Sequence, residues 1–314
     1  MTRFAKAAVA AISAAFCLTA VFAQSAAAQD HGSAIITVLS KKNRELPVNL
    51  TQQDLRLKVD GKDADITGWT HLNAANGPVE LVLLIDGSAR TSLGQQLGDI
   101  SNFIQNLPAD VKLSVGYMEF GRAVLSGAPT TDHNVAQRAL HLPTGPAGGS
   151  GSPYFCLSDL AKHWPSNDPT ARREVVMVTD GVDNYEQHFD PEDPYVQSAI
   201  TDSVRAGLVI SSIYWRDRGF LDSTAYGADS GQNLMAMVTD ATGGSSYWNG
   251  LGNPVSFKPY FDDVILRLQN QYRLSFKTTR AARADVVNMS LKVGGPASKA
   301  WSPQQVAVHK PGSN

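Results

Sequence analysis

The chain has 314 residues, 43% of them hydrophobic and 18% charged, with a formal net charge of −2. This balance excludes a disordered polar chain and carries no basic footprint for nucleic acid. Of the two cysteines, Cys17 falls in a segment expected to be removed, so Cys156 stands alone and no intrachain disulfide framework is available.

Arg3 and Lys6 form a basic start, and Ala7 to Ala23 is mostly Ala, Val, Ile, Leu and Phe. Ser25-Ala26-Ala27-Ala28 then supplies the small residues that a signal peptidase reads. Residues 1–28 are therefore expected to be a signal peptide cleaved after Ala28, giving an exported protein, periplasmic or extracellular. No later stretch is apolar enough to span a bilayer, so the mature chain is expected to have no transmembrane segment.

Residues 29–78 read as an N-terminal β segment. Ala34 to Leu39 is a strand, and Leu55 to Val59 alternates apolar with polar residues. Asp60-Gly61 marks a hairpin turn, with Ala64 to Trp69 returning after it. Thr51 before Gln52-Gln53-Asp54 has the form of a one-turn helical cap.

From residue 79 the pattern becomes strand, helix, strand. Leu81 to Ile85 is an unbroken aliphatic run ending in Asp86-Gly87-Ser88, as in a parallel strand buried on both faces. Leu93, Leu97, Ile100, Ile104 and Leu107 recur at helical spacing, predicting a helix over 91–106. Strands follow at 111–118 and 122–125, a helix at 132–140, and a Gly-, Pro- and Ser-rich loop at 143–151. Ser152 caps a helix over 153–164 that has Pro at its first position.

Glu174 to Val178 repeats the first design, a buried strand that runs into Thr179-Asp180-Gly181. An acidic loop follows, with Asp183, Glu186, Asp190, Glu192 and Asp193; it lacks EF-hand calcium spacing and is expected to be solvated or part of a partner-binding rim, with His188 within it exposed. Helix 194–206, strand 208–215, helix 231–242, edge strand 245–248 and helix 256–270 complete this region. Residues 271–314 return to β, with alternating strands at 272–278 and 287–293. The fold class expected is α/β: a doubly wound, mostly parallel, Rossmann-like sheet over 79–270. The two flanking segments are expected to pack into a small β-sandwich-like module.

Two buried strands thus deliver an Asp and a hydroxyl to one sheet edge, where open α/β sheets place their ligand crevices. Asp86, Ser88, Asp180 and Ser152 or Ser150 supply the oxygen donors that a hard divalent cation takes. Cys156 lies in the first turn of its helix and is expected to be a small buried apolar residue.

Three stretches in order, LVLLIDGSAR (81–90), GGSGSPYFCLSDL (148–160) and VVMVTDGVDN (175–184), resemble a von Willebrand factor A domain. The likeness extends to bacterial proteins of this kind that carry β segments on either side of the domain. The resemblance implies a metal-ion-dependent adhesion site formed by Asp86, Ser88, Ser152 (Ser150 in another loop register) and Asp180. It also implies Mg²⁺ or another divalent cation that accepts a carboxylate from a partner protein. The third position of the Asp-x-Ser-x-Ser motif is Arg90 here. Its guanidinium either bridges Asp86 and Asp180 in place of the cation, or points to solvent and leaves the cation with one ligand fewer.

The resemblance implies an exported protein-binding, adhesion-type module with a protein ligand. The alternative is a structural envelope protein with a metal-dead domain of the same fold. A metal-dependent hydrolase is disfavoured, since a phosphohydrolase built on Asp86 would want a carboxylate where Ser88 stands. No Gly-x-Ser-x-Gly elbow, dinucleotide loop or Walker loop occurs either, so no enzyme is expected.

Overall fold

The computed structural model describes residues 29–42, 44, 49–87, 89, 91–144, 149–185, 189–216, 225–279, 284–294 and 298–310. The expected signal peptide, Ser88, Arg90, Glu186 and His188 lie outside the described residues.

In chain order, β1 (Asp30–Ser40) leads through a 3-10 turn (Gln52–Asp54) to β2 (Leu55–Val59), β3 (Lys62–Asp63) and β4 (Asp65–His71). The α/β region runs β5 (Val79–Asp86), a 3-10 stretch (Thr91–Gln96), α1 (Leu97–Asn106), β6 (Lys112–Glu119) and β7 (Arg122–Leu125). It continues with α2 (His133–Arg138), α3 (Pro153–Lys162), β8 (Arg172–Thr179), α4 (Pro194–Arg205) and β9 (Leu208–Tyr214). Next come α5 (Ala225–Thr242), β10 (Ser246–Tyr247) and α6 (Lys258–Leu268), and the chain closes with β11 (Gln271–Thr278), β12 (Val286–Val293), β13 (Ser298–Trp301) and β14 (Gln305–His309).

The central sheet has the order β10-β9-β8-β5-β6-β7. It is parallel except at β7, which pairs antiparallel with β6, so the sheet is mixed rather than purely parallel. The turn at Phe120-Gly121, with both φ positive, makes that hairpin too short for a crossover. Every residue of β5 is buried, as its unbroken aliphatic run predicts. Leu81, Leu83 and Ile85 face a core with Ile100, Phe103 and Phe261 of α1 and α6. Val82 and Leu84 face the opposite core with Leu157, Ile200 and Val238 of α3, α4 and α5. Helices therefore cover both faces, and alternate residues of one strand serve two cores.

The flanks depart from the expected sandwich. They form one eight-stranded sheet in the order β3-β2-β12-β14-β1-β11-β4, with β13 also on β1 and every pair antiparallel. The long strand β1 explains this. It pairs over Asp30–Thr37 with β11 on one side, and on the other with β14 near its start and β13 near its end. Chain flanks joined edge to edge in this way make a curled sheet closing on Ile36, Leu57, Phe276, Met289 and Val306, not two stacked sheets.

The Asp60-Gly61 hairpin is also shorter than expected. Lys62 and Asp63 pair with β2, whereas Asp65–His71 pairs with β11, where Trp69 stacks on Tyr272 at 4.5 Å. The predicted helix over 91–106 is 3-10 over its first six residues, α5 begins before 231, and β13 and β14 have no counterpart in the sequence reading.

Candidate functional site

Strands β5 and β8 lie side by side and in register, Ile85 beside Val178, so Asp86 and Thr179 end level at the carboxyl edge. The chain passes from β5 to β6 on one side and later enters β8 on the other. That reversal is the switch point where open sheets leave a crevice.

Asp86, 2% exposed, accepts a hydrogen bond at Oδ2 from Thr179 Oγ1 at 2.7 Å. Thr179 Oγ1 in turn accepts from the Gly181 amide at 3.0 Å, which fixes the hydroxyl proton toward Asp86. Asp180 turns its carboxylate back on its own loop, accepting from the Val182 amide at 2.9 Å. The loop is pinned because helix α5 approaches it backbone to backbone. A Cβ at Gly231 would strike the Asp180 carbonyl, and one at Gly181, whose φ is +72°, would strike the Gly231 carbonyl.

Asp86 and Asp180 are electrostatic neighbours. Burial, with the Asp86 charge adding to it, pushes the Asp180 carboxyl up to about 7, while the Asp180–Val182 hydrogen bond and Arg216 act in the opposite sense.

Ser152 is the N-cap of α3, fully buried, accepting from the Phe155 amide at 3.5 Å. Its hydroxyl donates to Asp183 Oδ2 at 2.8 Å, and Asp183 Oδ1 accepts from the Tyr185 amide at 2.8 Å. Ser150, 1% exposed, offers its carbonyl to the Gly121 amide at 2.8 Å and to the Cys156 thiol at 3.6 Å. Asn184 N donates to Gly151 O at 3.0 Å, and Tyr154 Oη to Gly181 O at 2.7 Å. These bonds lace the 149–152 loop and the 180–185 loop into one edge with the end of β5. Burial pushes the Cys156 thiol up, with Asp86 and Asp159 adding to it, which suits an inert packing residue.

Two acidic residues differ from expectation. Asp183 is 2% exposed and holds Ser152, and Asp193 is 7% exposed and caps α4 through the Tyr195 and Val196 amides. The Asp193-Pro194 pair carried that signal, since Asp before a first-turn Pro is an N-cap pattern. Asp183 stands three residues past Asp180 with nothing local to mark it as buried. Asp190 and Glu192 are exposed, as expected.

The donors here are carboxylates and hydroxyls, the set that Mg²⁺ prefers. Among the described residues no three His, Cys, Asp or Glu side chains cluster as a metal site, so a cation bound here would complete its shell with hydroxyls and water. The residues fit such an ion in donor type and in the charge that Asp86 and Asp180 bring together.

No family model matches the chain, and no curated protein matches it in sequence. Solved structures similar to it include an aerotolerance-related membrane protein from Bacteroides fragilis, 14% identical, with a TM-score of 0.44 over 60% of this chain and 98% of that one. A pilus adhesin from Lactobacillus rhamnosus GG is 10% identical, with a TM-score of 0.44 over 82% of this chain and 47% of the adhesin. Proximal thread matrix protein 1 from the mussel byssus, with a zinc-occupied MIDAS motif, is 12% identical, with a TM-score of 0.43 over 68% of this chain and 50% of that protein.

Proposed function

We propose that this chain is an exported protein-binding module of von Willebrand factor A type, and that it contacts its partner through the carboxyl edge of the central sheet. The observation that carries the reading is the meeting of Asp86 and Asp180 at the switch point, with the Asp180 carboxyl pushed up to about 7. A divalent cation supplies a site for a partner carboxylate. Asp86 and Asp180 bind it, Thr179 orients Asp86, and Ser152 faces the same edge. Asp183, three residues past Asp180, positions Ser152.

Exposed aromatic side chains beside this edge support a protein partner. Phe120 is 73% and Tyr185 64% exposed, and Tyr185 and Tyr195 both lie against the Phe155 ring. Aromatic anchors of this kind are enriched at protein interfaces.

Calorimetric titration of the mature protein, from Gln29 onward, with Mg²⁺, Mn²⁺ and Ca²⁺ tests the reading. Saturable binding that is lost in Asp180→Ala is expected. No binding to the wild type, joined by binding to Arg90→Ser, would overturn the cation-dependent reading in favour of the metal-dead alternative.

A further inference from the structure

At the opposite, amino edge of the central sheet, a cavity of about 570 Å³ lies between the α/β region and the curled sheet. Its volume falls within the usual range for small-molecule sites, which favour such junctions. The walls are apolar where the two regions face each other, with Ile35 of β1, Val204 of α4, Leu208 of β9 and Ala307 of β14. Ser33, Thr242, Gln305 and His309 give it neutral polar groups, and its charged groups are mainly cationic. Arg173, Arg205 and Arg273 line it, against one carboxylate, Asp168.

These arginines are not equivalent. Arg205 is already spent on Asp285, to which it donates twice, at 2.7 and 2.9 Å. Arg173 and Arg273 are held by main-chain carbonyls instead. Arg173 donates to Ala206 O at 3.2 Å and Ser166 O at 3.4 Å, and Arg273 to Thr170 O at 2.9 Å and Asn76 O at 3.4 Å. Carbonyls orient a guanidinium without neutralising it, and among the described residues neither arginine has a carboxylate partner. Both reach the same 166–170 loop from different strands. Asp168 in that loop is turned to Thr170, from whose amide and hydroxyl it accepts at 2.9 and 2.7 Å.

We propose that this cavity binds a small amphipathic carboxylate, its head group between Arg173 and Arg273 and its hydrocarbon body along Ile35, Val204 and Ala307. Two oriented, unneutralised guanidiniums match the fork of a carboxylate. The aliphatic walls give the body an apolar lining that a purely polar anion would not use. The site lies at the sheet edge opposite Asp86 and Asp180, so it stands or falls independently of the cation reading.

Calorimetry with decanoate below its micelle concentration, and with decanol as the uncharged match, tests this in metal-free buffer. Saturable decanoate binding is expected, with decanol at least about tenfold weaker and Arg273→Gln reducing decanoate affinity by about tenfold or more. The proposal is overturned if decanoate fails to saturate, if decanol binds equally well, or if Arg273→Gln melts like the wild type and keeps its affinity. Should that variant not fold, the comparison of decanoate with decanol on the wild type decides alone.

Discussion

At the amino edge of the central sheet, Glu80 accepts the Trp164 indole N–H at 3.0 Å with Lys112 Nζ 3.5 Å away, and Glu174 accepts the Gln271 amide at 2.8 Å. Arg172 completes that edge, donating to Gly77 O, Leu268 O and Gln271 Oε1 at 2.6 to 2.8 Å. At the carboxyl edge, Asp86, Asp180 and Asp183 take hydroxyls and main-chain N–H groups, and the nearby guanidinium of Arg216 acts on Asp180 through its field. The same strands thus end in buried carboxylates that are cross-linked by cationic and amide side chains at one end and only oriented at the other. The amino edge ties the α/β region to β11 through Gln271. The carboxyl edge leaves the Asp86 charge acting on the Asp180 carboxyl, at a cost in stability.

Breaking the amino edge has the largest expected effect. Arg172→Ala strands three acceptors, Gly77 O, Leu268 O and Gln271 Oε1, and is expected to cost about 3–5 kcal/mol in chemical denaturation. A loss below about 1 kcal/mol would show that the network contributes little and that the contrast between the edges is false.

The pH profile sharpens the comparison. Burial pushes Glu174 up to about 7 from an ordinary 4.5, and Asp180 reaches a similar value. Between roughly pH 4.5 and 7 the folded state holds protons that the unfolded chain has released, so stability falls as pH rises through that window. The Glu174 share is on the order of 3–4 kcal/mol, at about 1.4 kcal/mol per pKa unit. Glu174→Gln is expected to flatten the slope with or without Mg²⁺. Saturating Mg²⁺ is expected to alter the part carried by Asp180, since cation and proton compete for that carboxylate. An unchanged Mg²⁺-bound profile in urea melts at several pH values would count against a cation at the carboxyl edge.

The smallest effects separate positioning from binding at that edge. Ser152→Ala removes an N-cap and the hydroxyl held by buried Asp183, and is expected to cost about 1–2 kcal/mol. Asp180→Asn relieves like-charge crowding and is expected to leave stability within about 1 kcal/mol of the wild type, or above it, in thermal melts. If Asp180→Asn proved the more damaging of the two, Asp180 would be a structural residue.

Much of this was legible in the residues. The run Leu81–Ile85 announced a strand buried on both faces, and Ser152 before Pro153 announced a helix start; both were found. Asp86 and Asp180 meet because two such strands, each ending in an acidic turn, pair in parallel and in register. Asp183 was misread because its burial depends on Ser152, 31 residues earlier in the chain.

The flanks show the same division. Alternation in β2 and β11 marked them as half-buried strands, but alternation reports which face is buried and not which strand lies alongside. Asp65–His71 follows a good hairpin turn and still pairs with β11, more than 200 residues away, because cross-strand packing such as Trp69 on Tyr272 outweighs local turn preference. The α/β succession, the acidic strand ends and the helix caps can be read along the chain, since each depends on neighbours within a few residues. The tertiary structure alone decided the single curled sheet, the burial of Asp183, the Arg172 network and the arginine-lined cavity, since each joins groups that only long-range packing brings within reach.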